Sequence, residues 1–367
     1  MSSRVKRRSV LASAALAAAS SVAASNGAQA AELPVDGHQF APDQNSVRRL
    51  LAVPQEARDL AWIRSALHVA VELELATIPA YLCGWWSIKD RHSKAARLIR
   101  RIVGDEMYHL GTVCNLLVAV GGRPRIRDAA PTYPGPLPGG VRGGVTVYLS
   151  GLTKTSVHDV MMAIEKPETP LARSVDDSLT VGAFYGELQE AFRTVAPELS
   201  TRGQLAKHIG SDTLKPVKTL DDAERAMEIV KEQGEGTSCD PSDIFEDDQP
   251  AHYYAFGEIY HGRRLREVRG AWEFSGAPVP FPDVRPMARV PAGGWHQPPP
   301  HVRRLLHRFD GNYHAVLRTL ERAWDGGGHR ALNAAVHAMR GLGTPAVELM
   351  EIPRPDAPGN YGPQFRR

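Results

Sequence analysis

Two carboxylates sit where helices usually place hydrocarbon. Over residues 93–120 apolar side chains recur at Ile99, Ile102, Val103, Leu110, Val113 and Leu117, the period of an amphipathic helix, and Glu106 falls on the same stripe. His109 follows three residues later, which brings both side chains onto one helix face. Over residues 59–87 a second stripe, with Ile63, Leu67, Ala70, Ile78, Leu82 and Trp85, carries Glu74 in the same way. An ionised acid among aliphatic side chains is costly unless a cation pairs with it. Glu-x-x-His, joined by glutamates from neighbouring helices, is how four-helix carboxylate proteins hold two iron or manganese ions.

The elements that must position these groups agree with that chemistry. Residues 88–92 form a short connector, which makes the two helices antiparallel neighbours. At 1.5 Å per residue, Glu74 lies roughly 24 Å and Glu106 roughly 21 Å from the turn, so the acids should meet at one depth. Pro79 should bend the first helix. A third helix is expected over 178–195, offering Glu187, and a fourth over 250–264, offering His252. Glu258 and His261 in that fourth segment form a second Glu-x-x-His that competes with His252. Glu72 projects about 200° away from Glu74 and reads as a solvated or supporting residue. Tyr81, Tyr108, Tyr185 and Tyr253 lie within reach of the metal layer, although packing is the ordinary role of each.

The remaining chain reads as elaboration of one α-domain. Residues 131–144 hold four prolines and five glycines and should be extended. Residues 145–149 suggest a strand and 155–164 a helix. Further helices are expected near 220–233, 302–324 and 330–341, with a Pro/Gly-rich tail wrapping the surface.

With 43% hydrophobic and 23% charged residues in 367, the composition is that of a globular protein rather than a disordered or multi-span one. The net charge of +3 is misleading, because Arg4, Lys6, Arg7 and Arg8 precede an apolar run and an A-x-A site. Residues 1–30 read as an export signal, with a twin-arginine character in Lys6-Arg7-Arg8-Ser9-Val10-Leu11. Residues 31–46 would then open the mature chain, and 47–367 form the domain. Without those four charges, 40 basic residues face 41 acidic ones, so nothing points to nucleic acid. The signal is too short and alanine-rich to span a membrane. Cys83, Cys114 and Cys239 form no C-x-x-C site, and Cys83 and Cys114 should lie too far apart in depth to bond.

The segments Glu72-Leu-Glu-Leu-Ala-Thr-Ile-Pro79, Asp105-Glu-Met-Tyr-His109 with Gly121-Gly122, Tyr133-Pro-Gly-Pro-Leu-Pro-Gly-Gly140 and His252-Tyr-Tyr254 together resemble one family. It is the ferritin-like domain family of iminophenylpyruvate dimer synthase, from violacein- and rebeccamycin-type biosynthesis. The resemblance implies a ferritin-like four-helix core, so the fold expected is all-α: a ferritin-like four-helix bundle elaborated with the long Pro/Gly-rich loops and extra C-terminal helices read above. It also implies an iron-dependent oxidative activity, coupling a small organic substrate with O2 or peroxide as oxidant. Glu74, Glu106, His109 and His252 match the family pattern, and His252 is preferred over His261 on that ground. Ala183 stands where the family has a glutamate, so Glu187 is expected to replace it; Gln249, beside Asp248, stands where an acid is expected. Manganese-catalase-like peroxide removal and a non-catalytic binding protein with a degraded site are the other functions these residues allow.

Overall fold

In this computed structural model, residues 46–167, 180–236, 241 and 249–366 are described. The expected export signal, Cys239 and Asp248 lie outside them.

Asp59 starts the first long helix, α1 (Leu60–Ser87), by accepting the Trp62 amide at 2.9 Å. α1 runs without interruption through Pro79 and is buried on nearly every side. By length and composition it could cross a membrane, but 89% of its most apolar window is buried inside the protein, the mark of a core helix. Ser93 caps α2 (Lys94–Ala119), which packs along α1. Next comes α3, in which Lys154–Ser156 and Ala163–Glu165 are joined through a π turn at Val157–Met162. The π turn was not expected, because hydrophobic spacing does not distinguish it from α-helix.

Thr180 caps α4 (Val181–Val195), which ends in the left-handed residue Ala196. A capping box, Thr219 with Asp222, opens α5 (Leu220–Glu235). α6 (His252–His261) is shorter than expected, because Gly262 takes φ 75° and closes it. The C-terminal part adds α7 (Pro300–Arg322), α8 (Gly328–Arg340) and α9 (Gly343–Met350), the last unforeseen.

Among the described residues the strands form three antiparallel pairs: β1 (Gly135–Pro136) with β2 (Thr146–Val147), β3 (Lys207–Ile209) with β4 (Asp212–Leu214), and β5 (Arg266–Val268) with β6 (Ala271–Glu273). The β3–β4 turn lies close against α2; a β-carbon at Gly104 would stand 3.3 Å from Gly210 Cα. The all-α expectation therefore holds, with strands only as short antiparallel pairs.

The core is built on Trp62, Tyr81, Phe184, Tyr185, Phe256 and Phe309, all fully buried. The tail does not simply wrap the surface. Phe365 is buried, stacked on Trp86 and set edge-on to Phe309 and Tyr313. Asp310 fixes it there by accepting from Gln364 Nε2 at 2.8 Å and the Arg366 amide at 3.1 Å.

Candidate metal centre

Glu74 on α1 and Glu106 on α2 meet at one depth, as their distances from the connector require. With His109 they form one buried group, and Glu106 with Glu165 and His252 forms another; within each, the ligand atoms lie within 4.8 Å of one another. Glu106 belongs to both. The five side chains come from α1, α2, the end of α3 and the start of α6.

Both imidazoles turn Nδ1 inward. His109 Nδ1 is 3.5 Å from Glu74 Oε2 and 3.9 Å from Glu106 Oε1. His252 Nδ1 is 2.9 Å from Glu106 Oε1 and 3.6 Å from Glu165 Oε1. The rings lie 5.7 Å apart. Their outer nitrogens are held differently: His109 Nε2 meets Gln233 Oε1 at 2.7 Å, and His252 Nε2 meets Asp105 Oδ2 at 3.2 Å. Gln233 in turn donates to Asp212 of the β3–β4 hairpin. Such outer partners fix the ring and choose which nitrogen is free to ligate.

Each carboxylate also has a hydroxyl donor. Thr77 Oγ1 donates to Glu106 Oε2 at 2.7 Å, Tyr185 to Glu74 Oε1 at 2.5 Å and Tyr81 to Glu165 Oε1 at 2.5 Å. Burial and the facing carboxylates push both phenols well above their usual range, so they stay protonated donors.

The electrostatics are those of a site short of positive charge. Burial, then the neighbouring Glu165, raises the Glu106 carboxyl, against the pull of His252 and His109. Burial acts to lower His109, but Glu74 and Glu106 win and lift it to about 9. His252 is likewise carried well above its usual value by Asp105, Glu106 and Glu165, against the cost of burial. Although His252 Nδ1 is close to Glu106, it is not aligned for a hydrogen bond and is left buried without one. A buried imidazole nitrogen with no hydrogen bond, facing clustered carboxylates, fits a cation better than it fits packing.

Glu187 takes no part in this cluster. It lies two positions from Tyr185, about 200° around α4, and so faces away from the site that Tyr185 enters. Its carboxylate, 45% exposed, pairs at 2.6 Å with Arg58, just ahead of α1. Glu165 stands in its place. The signal for Glu165 was available: it lies four residues after Met161 and eight after Val157, an acid on an apolar stripe like Glu74 and Glu106. Glu165→Gln, which alters only one of the two groups, is expected to lower metal uptake, whereas Glu187→Ala should leave it unchanged. The latter is expected to cost about 1–3 kcal/mol, because Glu187 is 45% exposed while the Arg58 guanidinium it would leave behind is buried. Metal analysis and chemical denaturation of the two variants check this.

The competing pair is elsewhere. Glu258 accepts from the Leu265 amide at 3.1 Å, and His261 stacks on Phe274 at 4.3 Å. Cys83 and Cys114 are buried free thiols, as expected. A narrow cleft, with about 30 Å³ accessible to water, reaches Glu74, Glu106, His109 and Glu165 between walls that include Leu73, Leu137, Ile164, Val181 and Val230. Leu137 comes from the Pro/Gly-rich 131–144 segment, which thus contributes to the cleft wall.

Comparison with known proteins places this architecture. A solved ferritin-like protein from Caulobacter vibrioides aligns with a TM-score of 0.60 and 23% identity, covering 83% of this chain and 97% of that one, which establishes a shared fold. No curated protein matches the sequence. The ferritin-like family model matches residues 67–261, more than half of the sequence, from within α1 to the end of α6 and so across all the buried carboxylates and histidines of the cluster, and the chain belongs to that family.

Proposed function

We propose that this protein is a metal-dependent oxidoreductase that uses O2 or peroxide to oxidise a small organic substrate. Glu74, Glu106 and His109 would hold one ion, and Glu106, Glu165 and His252 a second. The observation that carries this reading is Glu106 shared between two buried groups, each of two carboxylates and one imidazole. Oxygen and nitrogen donors of this kind suit iron, which the family resemblance favours, and also manganese. Such a pair, when bound, supplies electron exchange with the oxidant and Lewis acidity.

The chain's own residues supply placement. Thr77, Tyr81 and Tyr185 each occupy one carboxylate oxygen, which fixes how the acids are turned. Gly234 leaves room for Glu165; a β-carbon there would stand 3.2 Å from its Oε2. The aliphatic walls limit water at the floor of the cleft, which strengthens every charge interaction within it. Oxidative coupling is the reaction type we favour, by the resemblance of the motifs. Export through residues 1–30 belongs to the same reading, and cell fractionation with and without that segment tests it.

The deciding experiment is metal analysis of protein purified without added metal, with absorption spectra under air and under nitrogen. Two ions per chain and an oxygen-dependent absorption band are expected. Less than about 0.2 ion per chain, after attempted reconstitution, would overturn the reading in favour of a non-catalytic binding protein. Steady oxygen release from peroxide by manganese-loaded protein would assign it to peroxide removal instead.

A further inference from the structure

The floor of the cleft is closed to anything much larger than water. Glu74, Glu106 and His109 are each no more than 5% exposed. The cleft that reaches them offers about 30 Å³ to water, room for roughly two molecules. An ion with its hydration shell, or an organic substrate, passes only if a wall moves.

One side chain ties three of the walls together. Glu235, the last residue of α5, lines the mouth. Its Oε1 accepts from the Gly182 amide at 3.0 Å, which holds the first turn of α4. The same oxygen lies 3.6 Å from Arg142 Nη2, which holds the segment that carries Leu137. Both contacts need an unusual backbone position. A β-carbon on Gly182 would stand 2.5 Å from Glu235 Oε2, so the carboxylate comes this close only because residue 182 is glycine. Arg142 takes φ 51°, a left-handed conformation unfavourable for a residue with a β-carbon. Elsewhere α4 and α5 are tied by Arg193 with Glu224 and by Gln189 with Glu228, at levels further from the mouth. The Glu235 contacts hold the cleft end of that helix pair, and its ion pair is only 6% and 12% exposed, where solvent screening is weak.

We infer that Glu235 controls access to the metal centre: while it holds Gly182 and Arg142 the mouth stays shut, and its release lets the start of α4 part from the 131–144 segment and admits ions and substrate. Glu235 belongs to neither ligand group, so it acts as a positioning residue. The inference rests on the metal-centre reading above only in requiring that something reach the cluster.

The test measures access with and without metal. Metal-free protein is treated with diethyl pyrocarbonate, and mass spectrometry follows modification of His109, with the exposed His329 as internal standard. Relative to His329, His109 should react about tenfold faster in Glu235→Ala, which loses both ties. The rise should be smaller in Glu235→Gln, which can still accept from Gly182. Phe365→Ala, which loosens the buried tail instead of the mouth, should leave the ratio unchanged. In iron-loaded protein, removal of iron(II) by a chelator should quicken by a similar factor in Glu235→Ala, with the same metal content at saturation. An unchanged His109 ratio in Glu235→Ala overturns the inference. So does an equal or larger rise in Phe365→Ala, which would assign access to general unfolding. If the protein takes up no iron, the two-metal reading falls and the His109 measurement still decides this one. Should Glu235→Ala fail to fold, Glu235→Gln decides, and an unchanged ratio there is the overturning result.

Discussion

Glu106→Gln is expected to empty the protein of both ions at once. Each group of ligands loses an anionic member, because the same carboxylate serves both. Glutamine keeps the size of the side chain and can still accept from Thr77, so the fold is spared the cavity that alanine would leave. Metal content should fall from two ions to below about 0.2 per chain. Without metal, the same substitution should move folding stability by no more than about 2 kcal/mol, since a desolvated acid disappears along with its contacts to two histidines. Metal analysis and urea denaturation measure both effects. Retention of one full ion would mean that the two groups do not depend on a common ligand.

A rise in pH should tighten metal binding while weakening the metal-free fold. His109 is protonated up to about 9 in the metal-free protein, and that proton must leave before Nδ1 can ligate. Apparent affinity should therefore increase about 100-fold between pH 6 and pH 8 from this group alone, with a further contribution from His252. For the metal-free fold the sign is opposite. The folded-state value of His109 lies above the ordinary 6.5, so its stabilising contribution is complete below about 6.5 and is lost as pH rises through about 9. The full loss is about 3 kcal/mol. Chelator competition at three pH values reads the first effect, and denaturation of metal-free protein reads the second. Binding that does not change with pH would show that protons do not occupy the place of the cations.

Much of this centre could be read from spacing. Acids on greasy stripes located Glu74 and Glu106, the three-residue step located His109, and counting rise from the connector gave their common depth. His252 and His261 could not be separated that way, because both lie on one short helix; the family resemblance favoured His252, and the structure brings His252 to the carboxylates. Glu187 misled because it is one turn from Phe184 and Ala191, yet the buried stripe of α4 is centred nearer Tyr185 and Leu188. Glu165 was overlooked because it ends a short helix just before Lys166 and Pro167, where an acid usually meets water. Neither Gln233 nor Asp212 could be read, since the contact of Gln233 with His109, and of Asp212 with Gln233, depends on how a distant helix and a hairpin fold onto α2.

The unequal backing of the two rings has a consequence for what the centre can hold. Asp105 backs its ring with a carboxylate and Gln233 with an amide, so His252 should be the stronger donor of the two. The two positions are therefore chemically distinct despite matching ligand types. The position beside His252 should favour the more highly charged ion and fill earlier, and a heterometallic pair assembled here would have a preferred order.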